Sequence, residues 1–395
     1  MEVAPRISFD DTSIAFSSKS DGELRRTAWM FKSMNNPLLV KVGTNLINTA
    51  FKLHLPIKGI VRKTLYKQFC GGISIRDCER TINTLHEYGI GTILDYSVEG
   101  EKTEKGFKAT FEELLRTVDF AKGNPAIPFC VFKVTGVGKF RILQKVQEGA
   151  KLSKEEQAAY ERIEERVDAI CKRAFENDVR IFIDAEETWI QDTIDTLAYA
   201  MMRKYNQEKP IVYNTFQMYR HDMYDNLKRA FHYAATHNHW LGVKLVRGAY
   251  IEKERDRAEE MGYTDPMQPN KQATDEDFNK ALKFCVDNKQ RVALCCGSHN
   301  EHSNHLLAEL MDKYNVRPGD PNFYFAQLYG MSDNISFNLS AAGYNVAKYV
   351  PYGPVAAVLP YLFRRAEENT SIAGQTSREL TLIQKEIKRR SAAGK

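Results

Sequence analysis

Eight short runs of apolar and β-branched residues, each closed by a polar or glycine turn and followed by a helical pattern, recur between residues 90 and 353. They are IGTILDYSVEG (90–100), FCVFKVTG (129–136), RIFIDAEE (180–187), IVYNTFQMY (211–219), GVKLVRGAY (242–250), RVALCCGSHN (291–300), FYFAQLYGM (323–331) and VAKYVPYG (346–353). Runs this short suit strands buried on both faces, while the segments between them repeat apolar residues at three and four spacing. Parallel neighbours need a long crossover, usually a helix, so the alternation predicts an α/β fold, a (βα)8 barrel of the TIM type. An open doubly wound sheet is the rival, but it usually carries a nucleotide loop, and neither G-x-G-x-x-G nor G-x-x-x-x-G-K-[ST] occurs. Residues 1–88 read as an N-terminal helical segment, 89–385 as the catalytic barrel and 386–395 as a solvated basic tail.

With 43% hydrophobic and 27% charged residues in 395, the chain can bury a large core. Its net charge of +5 is spread among many acids and bases and does not point to nucleic acid. No apolar run approaches the ~18 residues that cross a bilayer. The start MEVAPRISFDDTS is too acidic for a signal or transit peptide, which leads us to expect a cytoplasmic setting. The seven cysteines include no C-x-x-C pair, so reduced thiols are expected and a metal site is not.

In such a barrel the functional groups sit at the carboxyl ends of the strands. Here those ends carry Lys133; Asp184 with Glu186 and Glu187; Gln217 and Tyr219; Lys244, Arg247 and Tyr250; Ser298, His299 and Asn300; Gln327 and Tyr329; and Tyr349. Lys244 and Arg247 lie an odd number of residues apart in VKLVRGAY, so alternation sends them to opposite faces and at least one must be protected from water. A desolvated charge needs a partner, either a neighbouring acid or a bound anion. No Ser-His-Asp or Cys-His order stands out, and binding groups without a nucleophile usually borrow a cofactor's chemistry. After Gly353, PVAAVLPYLFRRAEENTS starts a helix with Pro354 at its first position and a kink at Pro360. Tyr361, Arg364, Arg365 and Glu368 share one face of it. Adjacent arginines suit a carboxylate held in two-pronged fashion; an exposed Arg/Glu salt-bridge face is the alternative.

The motifs IDAEE (183–187), TFQMY (215–219), KLVRGAYIEKER (244–255), SHN (298–300), QLYGM (327–331), KYVPYG (348–353) and YLFRRAEEN (361–369) follow one another in an order that resembles the proline dehydrogenase family, in its monofunctional, mitochondrial-type branch. The resemblance implies a distorted barrel whose eighth helix lies over the mouth. It also implies FAD-dependent oxidation of L-proline to Δ1-pyrroline-5-carboxylate by hydride transfer from C5 to flavin N5, the first step of proline catabolism, with electrons passed to quinone. Carried over by motif, Arg364 and Arg365 would hold the proline carboxylate with help from Lys133, and Asp184 would balance that positive cluster. Leu245, Tyr250, Leu328 and Tyr349 would box the ring. Gln217, Lys244, Arg247, Gly248, Ala249, Lys271, Thr274, Ser298, His299 and Glu368 would contact the flavin. Lys244 replaces the arginine that the bifunctional bacterial branch has near N5. The basic, amphipathic segment 51–69 suits either peripheral contact with an anionic inner-membrane surface or packing on the barrel, and the resemblance implies a pyrroline-5-carboxylate dehydrogenase as partner. A hydroxyproline dehydrogenase of the same family, another flavin barrel and a non-catalytic barrel are the alternatives.

Overall fold

The computed structural model describes residues 7–53, 55–98, 101–371 and 375–394, with side chains described for all of these except 37, 48, 367–371 and 375–377. All eight expected strands form: β1 (Ile90–Tyr96), β2 (Phe129–Phe132), β3 (Arg180–Ile183), β4 (Val212–Gln217), β5 (Leu241–Val246), β6 (Val292–Gly297), β7 (Phe323–Leu328) and β8 (Val346–Tyr352). They close in sequence order into a parallel barrel with helices between the strands. By contacts the chain divides into two compact units, Met1–Gly100 with Gln327–Lys395, and Glu101–Ala326.

The unit Glu101–Ala326 holds β2 to β6 and most of β7. On one face of this sheet Phe129 stacks on Phe182 at 4.4 Å, and Tyr213 and Tyr324 meet Phe129 edge-on at 5.4 and 4.8 Å. Arg180 lies 5.4 Å from the Phe129 and Tyr324 ring centres, so its stem and guanidinium complete an aromatic layer. The helices start where the sequence supplies caps. Ser153 and Glu156 form a capping box at Lys154–Glu176, and Asn270 and Asn300 cap Lys271–Asp287 and Glu301–Lys313.

In the other unit β1 and β8 pair in register from Ile90 opposite Val346 to Tyr96 opposite Tyr352. Around them the two ends of the chain share a core. Phe16, Leu24, Phe31 and Phe69 from the N-terminal segment pack with Val358, Leu362, Leu382 and Ile383 from the last two helices, Val355–Ser371 and Gln375–Ala393. Local pattern could not show this, because the partners are more than 280 residues apart in sequence.

One expectation changes here, the placement of Pro354. The basic end continues the last helix with most of its residues exposed, while Glu386 within it is fully buried and accepts from Arg389 and Arg390 at 2.7 Å. Arg390 also donates to the carbonyls of Phe16 and Lys19, tying that end to the N-terminal segment. Pro354 stands one residue before the helix Val355–Ser371, with its carbonyl accepting from Ala357 and Val358, while Pro360 lies inside it. All seven cysteines are free and buried. Among the described residues no helix is long and apolar enough to cross a membrane.

Candidate active site

Alternation along the strands decides which side chains can meet. In the unit Glu101–Ala326, Lys244 extends over the aromatic face, 5.2 Å from the Phe182 ring centre, and its ammonium reaches Asp184, just past β3, at 2.5 Å. Both are largely buried, so Lys244 takes a carboxylate partner as the desolvation argument requires. Lys133 stands at the end of β2, at the head of the short turn Val134–Gly136. Leu245 departs from expectation. As the neighbour of Lys244 in the strand it projects from the opposite face and is fully buried, so it packs as core and does not share a pocket with Lys244.

Glu186 organises the same strand ends, although the sequence reading gave it no role. Its carboxylate accepts from the Thr135 amide at 3.0 Å and from the Thr135 hydroxyl. Its own amide donates to Gln191 Oε1 at 2.7 Å, and its carbonyl accepts from Gln217 Nε2 at 3.0 Å. The loops after β2 and β3 are thereby joined to the end of β4. Burial pushes the Glu186 carboxyl up from 4.5 to about 7, against the opposing hydrogen bonds from Thr135 and the charge of Lys133. A carboxyl raised in the folded state favours folding most below about 4.5, and that contribution is lost as pH rises through about 7. Glu186→Gln is therefore expected to melt closer to, or above, the unsubstituted protein at pH 8 than at pH 5. Melting curves at the two pH values check this, and a constant gap would refute it.

Arg247, just past β5, points away from Lys244. It donates to Asp275 at 2.6 Å, to Ser298 Oγ at 2.8 Å and to Ser303 Oγ at 3.0 Å, with its guanidinium 4.4 Å from the Phe278 ring centre. Lys271 reaches the second oxygen of Asp275 at 2.6 Å. Burial opposes ionisation of Asp275, but the hydrogen bonds from Lys271 and Arg247 outweigh it and hold the carboxyl below its usual value. Arg247, Lys271 and Ser298 therefore belong to one cluster, and buried Thr274 precedes Asp275 on the same helix. Gly248 has φ +133°, and a Cβ there would lie 2.5 Å from the Tyr219 ring, so only glycine fits. Ala249 is exposed, and Tyr250 and His299 are half-buried. Asp275 and Ser303 escaped the sequence reading because helix residues become partners only once the strand ends are arranged.

In the unit that holds β1 and β8, Leu328 and Tyr349 are half-buried, and the Tyr349 carbonyl accepts from the Tyr329 amide at 2.8 Å. Arg365 is only 8% exposed and lies 5.3 Å from the Tyr361 ring centre, which excludes a fully exposed salt-bridge face for it. Arg364 is half-buried. The side chain of Glu368 lies outside the described residues. Among the described residues no group of three or more His, Cys, Asp or Glu could hold a metal ion. Burial pushes the Cys295 thiol up to about 12, so it is no ready nucleophile.

A parallel (βα)8 barrel with charged groups at its strand ends and buried thiols is an enzyme scaffold. The proline dehydrogenase family model matches residues 78–378. The chain belongs to the proline dehydrogenase family. It is 34% identical over 426 residues to proline dehydrogenase 1, mitochondrial, of Dictyostelium discoideum, covering 96% of this chain and 74% of that protein. To the human protein of the same name it is 40% identical over 269 residues, 66% of this chain and 45% of that one. Proline utilization A from Bdellovibrio bacteriovorus shares the fold, with a TM-score of 0.72 at 20% identity over 91% of this chain and 38% of that one.

Proposed function

We propose that the protein oxidises L-proline to Δ1-pyrroline-5-carboxylate with FAD as its cofactor. The observation that carries this is the buried Arg365 beside Arg364 in a segment within the family match. Paired guanidinium groups in a desolvated setting suit a small carboxylate. FAD fits the residues present. Gln217 Oε1 is a buried acceptor with no hydrogen-bond partner among the described residues, which suits the ring N–H of an isoalloxazine. The Arg247 cluster with Gly248 suits the phosphate and sugar portion.

In this reading Arg364, Arg365 and Lys133 bind the proline carboxylate, and Tyr250, Leu328 and Tyr349 exclude water from the ring. Gln217, Lys244, Arg247, Gly248, Ala249, Lys271, Thr274, Ser298, His299 and Glu368 hold the cofactor. Asp184, engaged by Lys244, keeps that side chain fixed rather than serving the arginines alone. Bound FAD supplies the hydride acceptor. Fixing the carboxylate at one end of a small substrate leaves little freedom at C5, which is how positioning without a nucleophile accelerates the reaction. Acid precipitation is expected to release FAD, and anaerobic L-proline to bleach the flavin absorbance. Released FMN, or a spectrum that proline leaves unchanged, would overturn the assignment.

The reading includes a membrane quinone as electron acceptor, peripheral contact with an inner membrane and a pyrroline-5-carboxylate dehydrogenase that takes up the product. Membrane contact has support in the N-terminal helices. Leu39, Val42 and Leu46 form an exposed stripe on the helix Pro37–Lys52, and Trp29, Leu53, Leu55 and Ile60 are exposed nearby in sequence. Between Glu23 and Asp77 there are ten Lys or Arg and no Asp or Glu. Apolar residues flanked by unopposed bases suit an anionic bilayer surface. Co-sedimentation with vesicles containing phosphatidylglycerol is expected, falling with salt and lost in Leu39→Glu/Leu46→Glu; equal binding by that variant would remove this surface from consideration.

A further inference from the structure

Lys348 is a fully buried lysine in the middle of β8, beside Tyr349 but on the opposite face of the strand. Its ammonium donates to Asp333 Oδ1 at 2.8 Å and to the Met331 carbonyl at 2.5 Å, with the Leu328 carbonyl at 3.4 Å. The other oxygen of Asp333 takes Lys19 at 2.8 Å. The loop from Leu328 to Asp333 is held at almost every step. The Tyr329 amide donates to the Tyr349 carbonyl at 2.8 Å, Gln68 Nε2 to the Gly330 carbonyl at 2.9 Å, and the Ser332 amide to Glu379 Oε1 at 2.8 Å. Gly330 has φ +79°, and a Cβ there would meet the Gln68 carbonyl oxygen at 2.0 Å. Ser332 takes φ +50° without being glycine.

A buried ion pair contributes little net stability compared with apolar side chains of the same volume, and left-handed backbone at a non-glycine residue costs stability. Packing alone would be served by leucine or methionine at 348. What the ammonium adds is direction. From the strand that carries Tyr349 it fixes the carbonyl of Leu328, the last residue of β7, and that of Met331 in the loop that follows.

We infer that Lys348 and Asp333 are positioning residues that hold Leu328 and Tyr349 in the arrangement that selects the substrate ring. The inference rests on the reading of those two side chains as proline-ring contacts. Neither Lys348 nor Asp333 touches substrate in this account; they act through the loop.

Lys348→Met tests it, because methionine keeps most of the volume and leaves Asp333 paired with Lys19. The measurements are kcat and KM for L-proline and trans-4-hydroxy-L-proline, FAD bound per chain, and the melting temperature. A loosened pocket should raise the proline KM roughly tenfold and narrow the preference for proline over hydroxyproline by a similar factor. Full FAD occupancy is expected to accompany this. Asp333→Asn should act in the same direction, and should it fail to fold, Lys348→Met still decides. An unchanged KM and preference in Lys348→Met overturns the inference, as does an equal fall in kcat for both substrates at constant KM. If the unsubstituted protein leaves its flavin oxidised in proline, the functional reading fails and this inference with it. A variant that matches an active unsubstituted protein removes the inference alone.

Discussion

Arg365→Met is expected to retain FAD while its kcat/KM for L-proline falls by about 2 to 5 kcal/mol, mainly through KM, as follows when a charge-assisted contact to a desolvated carboxylate is removed. Arg364→Met should move the same way. Arg365 is the more buried of the two, and methionine replaces its stem while deleting the guanidinium, so packing against Tyr361 is largely kept. A loss confined to proline binding separates recognition from folding. Flavin absorbance per chain and the melting temperature supply that control, and steady-state kinetics supply the effect. Unchanged proline kinetics in both variants would make the double arginine part of the helix core and leave the proposed substrate without its principal anchor.

The strands were legible because each is a short apolar run bounded by turn residues, a pattern that survives even where the strand is only four residues long, as in β2 and β3. Alternation predicted that Lys244 and Arg247 would part company, and they do, one to Asp184 and the other to Asp275. The same rule should have excluded Leu245 from any pocket shared with Lys244; motif resemblance carried it in. Partners were illegible wherever they come from another element. Asp275 and Ser303 meet Arg247 from two different helices, and Lys19 meets Asp333 across more than 300 residues of sequence. The ties made by the basic tail were illegible for a related reason. Most of its residues are exposed, but Glu386 pairs with Arg389 and Arg390 along the same helix, and Leu382 and Ile383, one turn earlier on that face, join a core. Composition reports how many charges a segment holds, whereas their pairing depends on whether acids at three and four spacing face them.

Tyr349 should decide between proline and its hydroxylated relative. It lies in β8 between Lys348 and Val350, both fully buried on the opposite face, so the strand holds its ring toward the other side with little freedom to withdraw. The proposed function sets that ring against the pyrrolidine, where a 4-hydroxyl would project. A large apolar surface there both crowds the hydroxyl and leaves it without a hydrogen-bond partner. Crowding combined with desolvation discriminates by a few kcal/mol, on the order of 100-fold or more, whereas the lack of one good contact gives less. A preference of that size for L-proline over trans-4-hydroxy-L-proline in kcat/KM is the expected result. Tyr349→Ser is expected to narrow it chiefly by losing proline activity, because serine opens space without rebuilding an apolar wall for the unsubstituted ring. Comparable kcat/KM for the two substrates in the unsubstituted protein would remove Tyr349 as the selecting group and make hydroxyproline an equal candidate for the substrate.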